Sequence, residues 1–266
     1  MAGIPWHLCP EGVRPIEQRL YELTRIYAIQ NRRIMGFKKL KSHICSEVKC
    51  EYLDDIIEVS ERGKKELEKL MKPYVSKHPV YTKYLSKVPG IGVVTAALLL
   101  GNIHPWRFEN ISKLWAWAGL APPEYYRQKC GNSKCFHTLG KAILMSVSRS
   151  VVRNSRHYLS LFNEKLREEI AKLVRERRGI EADPYGELVT MIIERAPREY
   201  QPIYYHAVFR SYRYIAKIFA ANYWEGYRMI MQLPIKPPYI LFAGIRGIYY
   251  PPMIEARGRV EPLRVE

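Results

Sequence analysis

The sequence predicts a mainly α-helical protein. Apolar residues recur at intervals of three and four in several long segments, which is the spacing of one buried helix face. Strand-like alternation is scarce, and no internal repeat is visible. The chain has 266 residues and is 47% hydrophobic, enough to build a substantial core. In chain order we expect a helical arm, a helical domain containing a helix-hairpin-helix, and an irregular proline-rich C-terminal tail.

The arm, residues 1–73, is predicted from two helical runs. The first covers residues 15–35 and the second residues 53–71, where Glu and Lys alternate at four-residue spacing and support a helix. The basic stretch 38–50 joins them, so we expect an antiparallel hairpin or coiled arm. Lys72 and Pro73 should end it, because proline interrupts the hydrogen bonds of a helix.

The second predicted domain is residues 74–180 and the third is residues 181–266. The second contains a compact unit around a Pro-Gly-Ile-Gly turn and further helices near residues 111–118, 139–154 and 159–178. The third begins with a short helix at 188–193 and a long aromatic-rich helix over 204–231, whose rings we expect to form core. Prolines and glycines recur from residue 233 onward and should stop regular structure there.

The turn Val88-Pro89-Gly90-Ile91-Gly92 carries the functional signal. A helix-hairpin-helix presents backbone N–H groups to a phosphate and needs glycine twice, once for a positive φ and once for close approach. Proline stiffens the entry, and the apolar residue between the glycines plugs the turn into the helix pair. The residues expected to contact nucleic acid here are Lys87, Gly90, Ile91, Gly92, Val93 and Thr95. The alternative is a purely structural turn whose glycines serve packing.

The stretch from Tyr125 to Asn163 contains no acidic residue. Its basic residues are Arg127, Lys129, Lys134, Lys141, Arg149, Arg153 and Arg156. The last three recur at helical spacing and predict one guanidinium face suited to phosphates. The rings of Tyr125, Tyr126, Phe136 and His137 could stack on an unpaired base. The alternative is a solvated basic face.

The charge balance points to a polyanionic partner. The chain carries 43 Lys and Arg against 26 Asp and Glu, a formal net charge of +17. Nucleic acid is the usual partner of such a chain. The other interpretation is a solvated, lysine-rich surface of the kind that thermophilic proteins often have.

No stretch approaches about 18 uninterrupted apolar residues, so we expect no membrane contact. The first fifteen residues lack a basic leader followed by an apolar segment, so we expect no signal peptide and a cytoplasmic location.

The cysteines leave three states open. Apart from Cys9, they form two C-x4-C pairs, which would be free thiols in an ordinary cytosol or disulfides in a hyperthermophile. A shared zinc site is the third option, although zinc usually takes closer spacing. Its candidate ligands are Cys45, Cys50, Cys130 and Cys135. We expect no cofactor.

A family resemblance rests on a run of motifs. These are VPGIGVVTAALLLGNI, the pair Arg107-Phe108, SKLWAWAGLAPP and a basic glycine-containing loop. Together, over roughly residues 80–160, they resemble the C-terminal transposase domain of the IS-one-ten insertion-sequence family. The resemblance implies recombination guided by a structured RNA, with a C-terminal serine attacking DNA and an N-terminal DEDD nuclease domain. The later motifs HAVFRSYRYIAKIFAANYWEGYR, LPIKPPY and YYPP look like a diverged archaeal or viral branch.

The sequence also departs from the family. No spaced Asp/Glu set before residue 80 resembles the nuclease, since Asp54 and Asp55 lie in a helix of solvated charge, so we expect that domain to be missing. In the catalytic loop, Cys130 stands beside the glycine and Ser133 three residues later, and neither matches the family pattern. Both are candidate nucleophiles, and nearby lysines would favour a Cys130 thiolate.

Three functions follow from these observations. The first is binding of double-stranded or branched DNA without cutting it, by a protein associated with the nucleoid or a mobile element. The second is a serine- or cysteine-dependent recombinase that needs a partner nuclease, so enzymatic activity stays open. The third is binding of structured RNA. An exposed arm is also compatible with a homodimer.

Overall fold

The computed structural model describes residues 4–44, 51–130, 135–236, 251–256 and 259–264. Within them the protein is mainly α-helical, as predicted, with one two-stranded ribbon. The helices are α1 (Arg14–Ile44), α2 (Glu51–Lys77), α3 (Pro79–Lys83), α4 (Val93–Asn102), α5 (Ile111–Trp117), α6 (Pro123–Cys130), α7 (Thr138–Asn154), α8 (Arg156–Arg178), α9 (Glu187–Arg195) and α10 (Gln201–Ile230). The strands are β1 (Met253–Ala256) and β2 (Arg259–Pro262). None of the helices in these ranges is both long and apolar enough to cross a bilayer.

The chain forms two compact units. The first consists of Met1–Ser86 and Gly92–Arg107, and the second of Lys87–Ile91 and Phe108–Glu266. The turn after Ser86 therefore belongs to the second unit, while helix α4, which follows it, belongs to the first. The three domains predicted from the sequence, with boundaries at residues 73 and 180, stay a prediction.

In the first unit, α1 and α2 pack against each other in antiparallel directions. Tyr27 donates to Glu68 at 3.1 Å, whereas Lys38, further along α1, pairs with Glu61 at 2.6 Å. The residue numbers of the partners on α2 therefore fall as those on α1 rise, which agrees with the predicted antiparallel hairpin. Both helices extend beyond the predicted ranges.

The prediction that Lys72 and Pro73 end the second helix of the arm is wrong. Helix α2 continues through Pro73 to Lys77. Met71 and Val75, on either side of the proline, are fully buried. Helix α2 packs against both α1 and α4, and this apolar burial offsets the hydrogen bond that proline cannot make.

The first unit also holds a buried polar cluster centred on Glu17, which is fully buried. Its carboxylate accepts hydrogen bonds from His104 Nδ1 at 3.0 Å and Trp106 Nε1 at 2.8 Å. His78 Nε2 lies 3.3 Å away and also donates, because His78 Nδ1 already accepts the N–H of Val80. Burial raises the pKa of Glu17, but the hydrogen bonds from His104 and His78 outweigh it and lower the pKa to about 2.

The second unit is built on α10, which packs against α8, α7 and α5. Its buried aromatic side chains include Phe219, Tyr223 and Trp224, as expected for an aromatic core. Trp224 Nε1 donates to the Phe108 carbonyl at 2.9 Å, so the core ring also satisfies a buried backbone group.

The predicted irregular tail is wrong for its last described part. Strands β1 and β2 pair antiparallel, with Met253 opposite Pro262 and Ala256 opposite Arg259. Ile254 of β1 and Leu263, which follows β2, are buried. The proline at 262 lies at the end of the ladder, where it removes little pairing, so the proline-rich composition does not prevent a short ribbon.

Candidate nucleic-acid interface

The turn before α4 has the predicted glycine geometry at Gly90. Its φ is +92°, a left-handed conformation that side chains rarely adopt. The N–H of Ile91 closes the turn on the Val88 carbonyl at 3.1 Å, and both apolar side chains are buried. Before the turn come the five-residue α3 and a 3-10 turn at Leu85–Lys87. Assignment to the helix-hairpin-helix motif stays a prediction.

Gly90 is fixed by packing against α7. A Cβ added there would lie 2.6 Å from the Ser150 carbonyl oxygen and 2.9 Å from its carbonyl carbon. The Ser150 hydroxyl donates to the Gly90 carbonyl at 2.7 Å. The structural interpretation of the glycines therefore applies to Gly90, which seats the turn on α7.

Gly92 is different. A Cβ there would meet nothing within 4 Å, and its φ of −83° is open to any residue. It is exposed and caps α4 without a side-chain hydrogen bond. The first N–H groups of a helix lack intrahelical acceptors, and here they belong to Val93, Val94 and Thr95. The start of α4, in the first unit, therefore has backbone N–H groups of the kind that bind anions.

The exposed face of α7 carries Arg149 and Arg153, one helical turn apart. Ser150, which holds the turn, borders the same face. Arg149 also lies over the Tyr212 ring, 5.9 Å from its centroid. The turn that begins with the exposed Lys87 is thus seated beside two exposed arginines.

The predicted single face of three arginines is wrong for Arg156. Helix α7 ends at Asn154, and Ser155 caps α8 by accepting the N–H of Tyr158. Arg156 is the first residue of α8 and so lies on a different helix from Arg149 and Arg153. The helices predicted at residues 139–154 and 159–178 already left Arg156 outside the first helix, so the arginine spacing was the misleading signal; Ser155 is the N-cap at this boundary.

The cations of the turn and of the basic stretch differ in their partners. Arg127 pairs with Glu124 at 2.9 Å, and Lys129 donates to the Tyr125 hydroxyl at 3.2 Å. Lys141 lies over the Phe136 ring at 4.9 Å. Within the described part of the chain, the following have no carboxylate partner: Lys87, Arg149, Arg153 and Arg156. Lys134 lies outside the described residues.

All four rings expected to stack on bases have intramolecular contacts, and Tyr125 meets Tyr126 edge-on at 5.3 Å. His137 stacks on Trp117, with centroids 4.4 Å apart. Tyr126 donates to the Ala116 carbonyl at 2.9 Å, and its ring meets Phe136 edge-on at 5.6 Å. Tyr125 is the more exposed member of this group. These rings hold α5, α6 and the start of α7 together, which sequence composition could not distinguish from a base platform.

The candidate nucleophile Ser133 and the side chain of Cys130 lie outside the described residues, as do Cys45 and Cys50. Cys135 is disulfide-bonded, which removes it as a free thiolate for a zinc site. Cys9 is a buried free thiol that donates to Glu17 at 3.7 Å, and burial raises its pKa. In the ranges the structure describes, no three His, Cys, Asp or Glu side chains group as metal ligands.

A charged cavity in the second unit was missed by the sequence interpretation. It has a volume of about 700 Å³ and is lined by α8, α10 and the segment from Pro122 to Glu124. Three of its cations, Arg210, Arg213 and Lys217, share one face of α10. Their spacing of three and four residues is visible in the sequence, but the surrounding aromatic residues predicted that this helix is part of the core.

Residues 82–159 match the family described as Transposase IS116/IS110/IS902. This segment is similar to that transposase family. The transposase-like segment (residues 82–159) contains the turn, α4, the face of α7 and Arg156, so the resemblance inferred from its motifs is confirmed. The archaeal or viral origin and the missing nuclease domain stay predictions. No curated protein and no solved structure matches the chain.

Proposed function

We propose that this transposase-related protein binds double-stranded or branched DNA through its phosphates and acts with a mobile element without cutting DNA itself. The observation that carries the proposal is the group of exposed cations without carboxylate partners beside the Gly90 turn. They are Lys87 on the turn and Arg149 and Arg153 on α7, all within the transposase-like segment.

Geometry supports phosphate binding at this face. A guanidinium group has a planar pair of N–H donors that matches two phosphate oxygens. Neither Arg149 nor Arg153 pairs with a carboxylate of the described residues. The hydrogen bond from Ser150 to Gly90 fixes the turn against the same helix, so the cation of Lys87 belongs to the same unit of structure. Contacts of this kind position a duplex but carry little sequence information.

The start of α4, which belongs to the first unit, offers another type of donor by itself. Gly92 leaves open space above the first turn of a ten-residue helix. Its backbone N–H groups and the helix dipole favour an anion. Gly92 follows Ile91 directly in the chain, so a backbone contact at α4 would come next to the cationic turn in sequence.

The experiment is a fluorescence-anisotropy titration with duplex DNA, a four-way junction and a structured RNA. We expect the double variant Arg149→Gln/Arg153→Gln to weaken duplex or junction binding roughly tenfold and to lower the salt slope by about 0.9 per lost phosphate contact. The matched control is Arg32→Gln/Arg33→Gln, which removes two exposed arginines from α1 and the same net charge.

An equal loss in both double variants would mean that binding follows net charge and not this face. Stronger binding of structured RNA than of either DNA would replace DNA by RNA as the substrate. A flat response between about 50 mM and about 200 mM salt, or no binding at all, would overturn the proposal.

Strand transfer is a second candidate, favoured by the similarity of residues 82–159 to transposases. It requires a nucleophile, for which Ser133 and Cys130 are the candidates, and a partner nuclease. Purified protein with such a partner should join DNA ends, and Ser133→Ala with Cys130→Ala should abolish joining. Unchanged joining in that double variant would exclude both nucleophiles.

A further inference from the structure

The cavity between α8 and α10 has an excess of positive charge. Five lysine and arginine side chains line it, together with only two carboxylates, and its volume of about 700 Å³ is typical of a small-ligand pocket. The cations are Lys165, Lys172, Arg210, Arg213 and Lys217. All of them belong to the second unit.

Both carboxylates already have cationic partners. Glu169 pairs with Lys165 and with Arg210, each at 3.2 Å. Burial raises the pKa of Glu169, but the hydrogen bonds from Arg210 and Lys165 lower it overall, so it stays ionised. Glu124 pairs with Arg127 at 2.9 Å. Neither carboxylate is left to compensate the remaining cations.

Arg213 and Lys217 are the cations without such compensation. Arg213 donates to the Ala121 carbonyl at 2.7 Å, which holds its guanidinium in place, and it has no carboxylate partner in the described ranges. Lys217 lies over the Trp115 ring at 5.7 Å. Burial lowers the pKa of Lys217, and the neighbouring charge of Arg213 lowers it further. An anion bound beside these two groups would offset the repulsion between their charges.

An apolar ring lies one helical turn from Arg213 and two turns from Lys217. Phe209 lines the cavity and is 48% exposed, so its ring is accessible to a ligand. Phe209, Arg213 and Lys217 follow each other at four-residue intervals, so they share one side of α10 over about 12 Å. A stacking ring beside a fixed pair of cations is the combination that binds a base and its phosphate.

We propose that this cavity binds one nucleotide of an unpaired nucleic-acid strand, with the phosphate at Arg213 and Lys217 and the base on Phe209. The proposal rests on the proposed nucleic-acid function and adds to it a site for a single strand. Both sites contact α10, because Arg149 of the α7 face lies over the ring of Tyr212, which precedes Arg213 in the chain. The bound strand could thus be the unpaired part of a branched DNA.

The test measures binding of a fluorescein-labelled twelve-residue oligothymidylate and of duplex DNA to the full chain. We expect Phe209→Ala to weaken oligothymidylate binding roughly tenfold and to leave duplex binding unchanged. The matched control is Tyr205→Ala, which removes an exposed ring of α10, 64% exposed, that does not line the cavity. Arg213→Gln/Lys217→Gln should weaken oligothymidylate binding and its salt dependence, with folding checked by circular dichroism.

The outcomes separate the two proposals. If the protein binds duplex DNA and neither cavity variant changes its affinity for oligothymidylate, the cavity proposal is wrong and the α7 face is unaffected. Cavity-dependent oligothymidylate binding without any duplex binding would overturn the proposed function and support the cavity. If an oligoglutamate peptide displaces the oligothymidylate at equal charge concentration, the cavity is a site for acidic peptides and the nucleotide proposal is wrong.

Discussion

The Glu17 cluster and the α10 cavity treat buried charge in opposite ways. At Glu17, a fully buried carboxylate receives hydrogen bonds from His104, Trp106 and His78, so its charge is satisfied inside the protein. In the cavity, Arg213 and Lys217 keep their charges half-buried without a carboxylate partner among the described residues. A buried charge whose hydrogen-bonding partners all lie within the protein indicates a structural role. A half-buried charge in a cavity without an oppositely charged partner indicates a ligand site.

The largest effect is expected at Glu17. Replacing Glu17 with Gln removes the negative charge and presents an amide N–H to donors that need an acceptor. We expect a loss of about 3 kcal/mol in the free energy of unfolding, measured by urea denaturation. The control Glu22→Gln, on the exposed side of α1 where Glu22 pairs with Arg19, should leave the urea midpoint unchanged.

The same carboxylate predicts a pH dependence of stability. Its folded pKa of about 2 lies below the ordinary value of 4.5, so its contribution is present above pH 4.5 and is lost as the pH falls toward 2. The unfolding free energy of the wild type should therefore drop over this window, and the drop should be smaller in Glu17→Gln. An equally steep drop in both proteins would show that other groups cause the acid sensitivity.

A smaller effect is expected from the two glycines of the turn. Gly90→Ala places a Cβ against the Ser150 backbone at a positive φ, so we expect a loss of about 2 kcal/mol in unfolding free energy. Gly92→Ala meets open space at an ordinary φ and should cost well under half as much. Thermal denaturation of both variants measures the difference. Equal losses would mean that Gly90 is not held by α7 as described.

The smallest effect separates paired from unpaired surface cations. Arg127 forms an ion pair with Glu124, whereas Arg149 has no carboxylate partner among the described residues. Both arginines are exposed. We expect Arg149→Gln to reduce duplex affinity about threefold and Arg127→Gln less than about twofold, with parallel salt titrations. A larger loss for Arg127→Gln would move the interface from α7 to α6.

Much of the local structure could be predicted because it depends on neighbouring residues. Apolar spacing predicted the arm helices and the long helix of residues 204–231, which is α10 at Gln201–Ile230. The Pro-Gly-Ile-Gly motif predicted the positive φ of Gly90 and, with its flanking motifs, the resemblance to transposases. Errors arose where a local signal competed with packing, as at Pro73, or where a cap interrupts a regular spacing, as at Ser155.

The sequence by itself determined the helical class, the position of the turn, the excess of positive charge and the transposase-like segment. Only the tertiary structure decided how charges and rings are used. It brought Glu17 to His78 and His104, it packed the half-buried rings of His137 and Tyr126 against neighbouring groups, and it left Arg213 and Lys217 without a carboxylate partner among the described residues. Periodicity and charge are properties of neighbouring residues, but whether a charge is satisfied depends on groups that are far apart in the chain and meet only on folding.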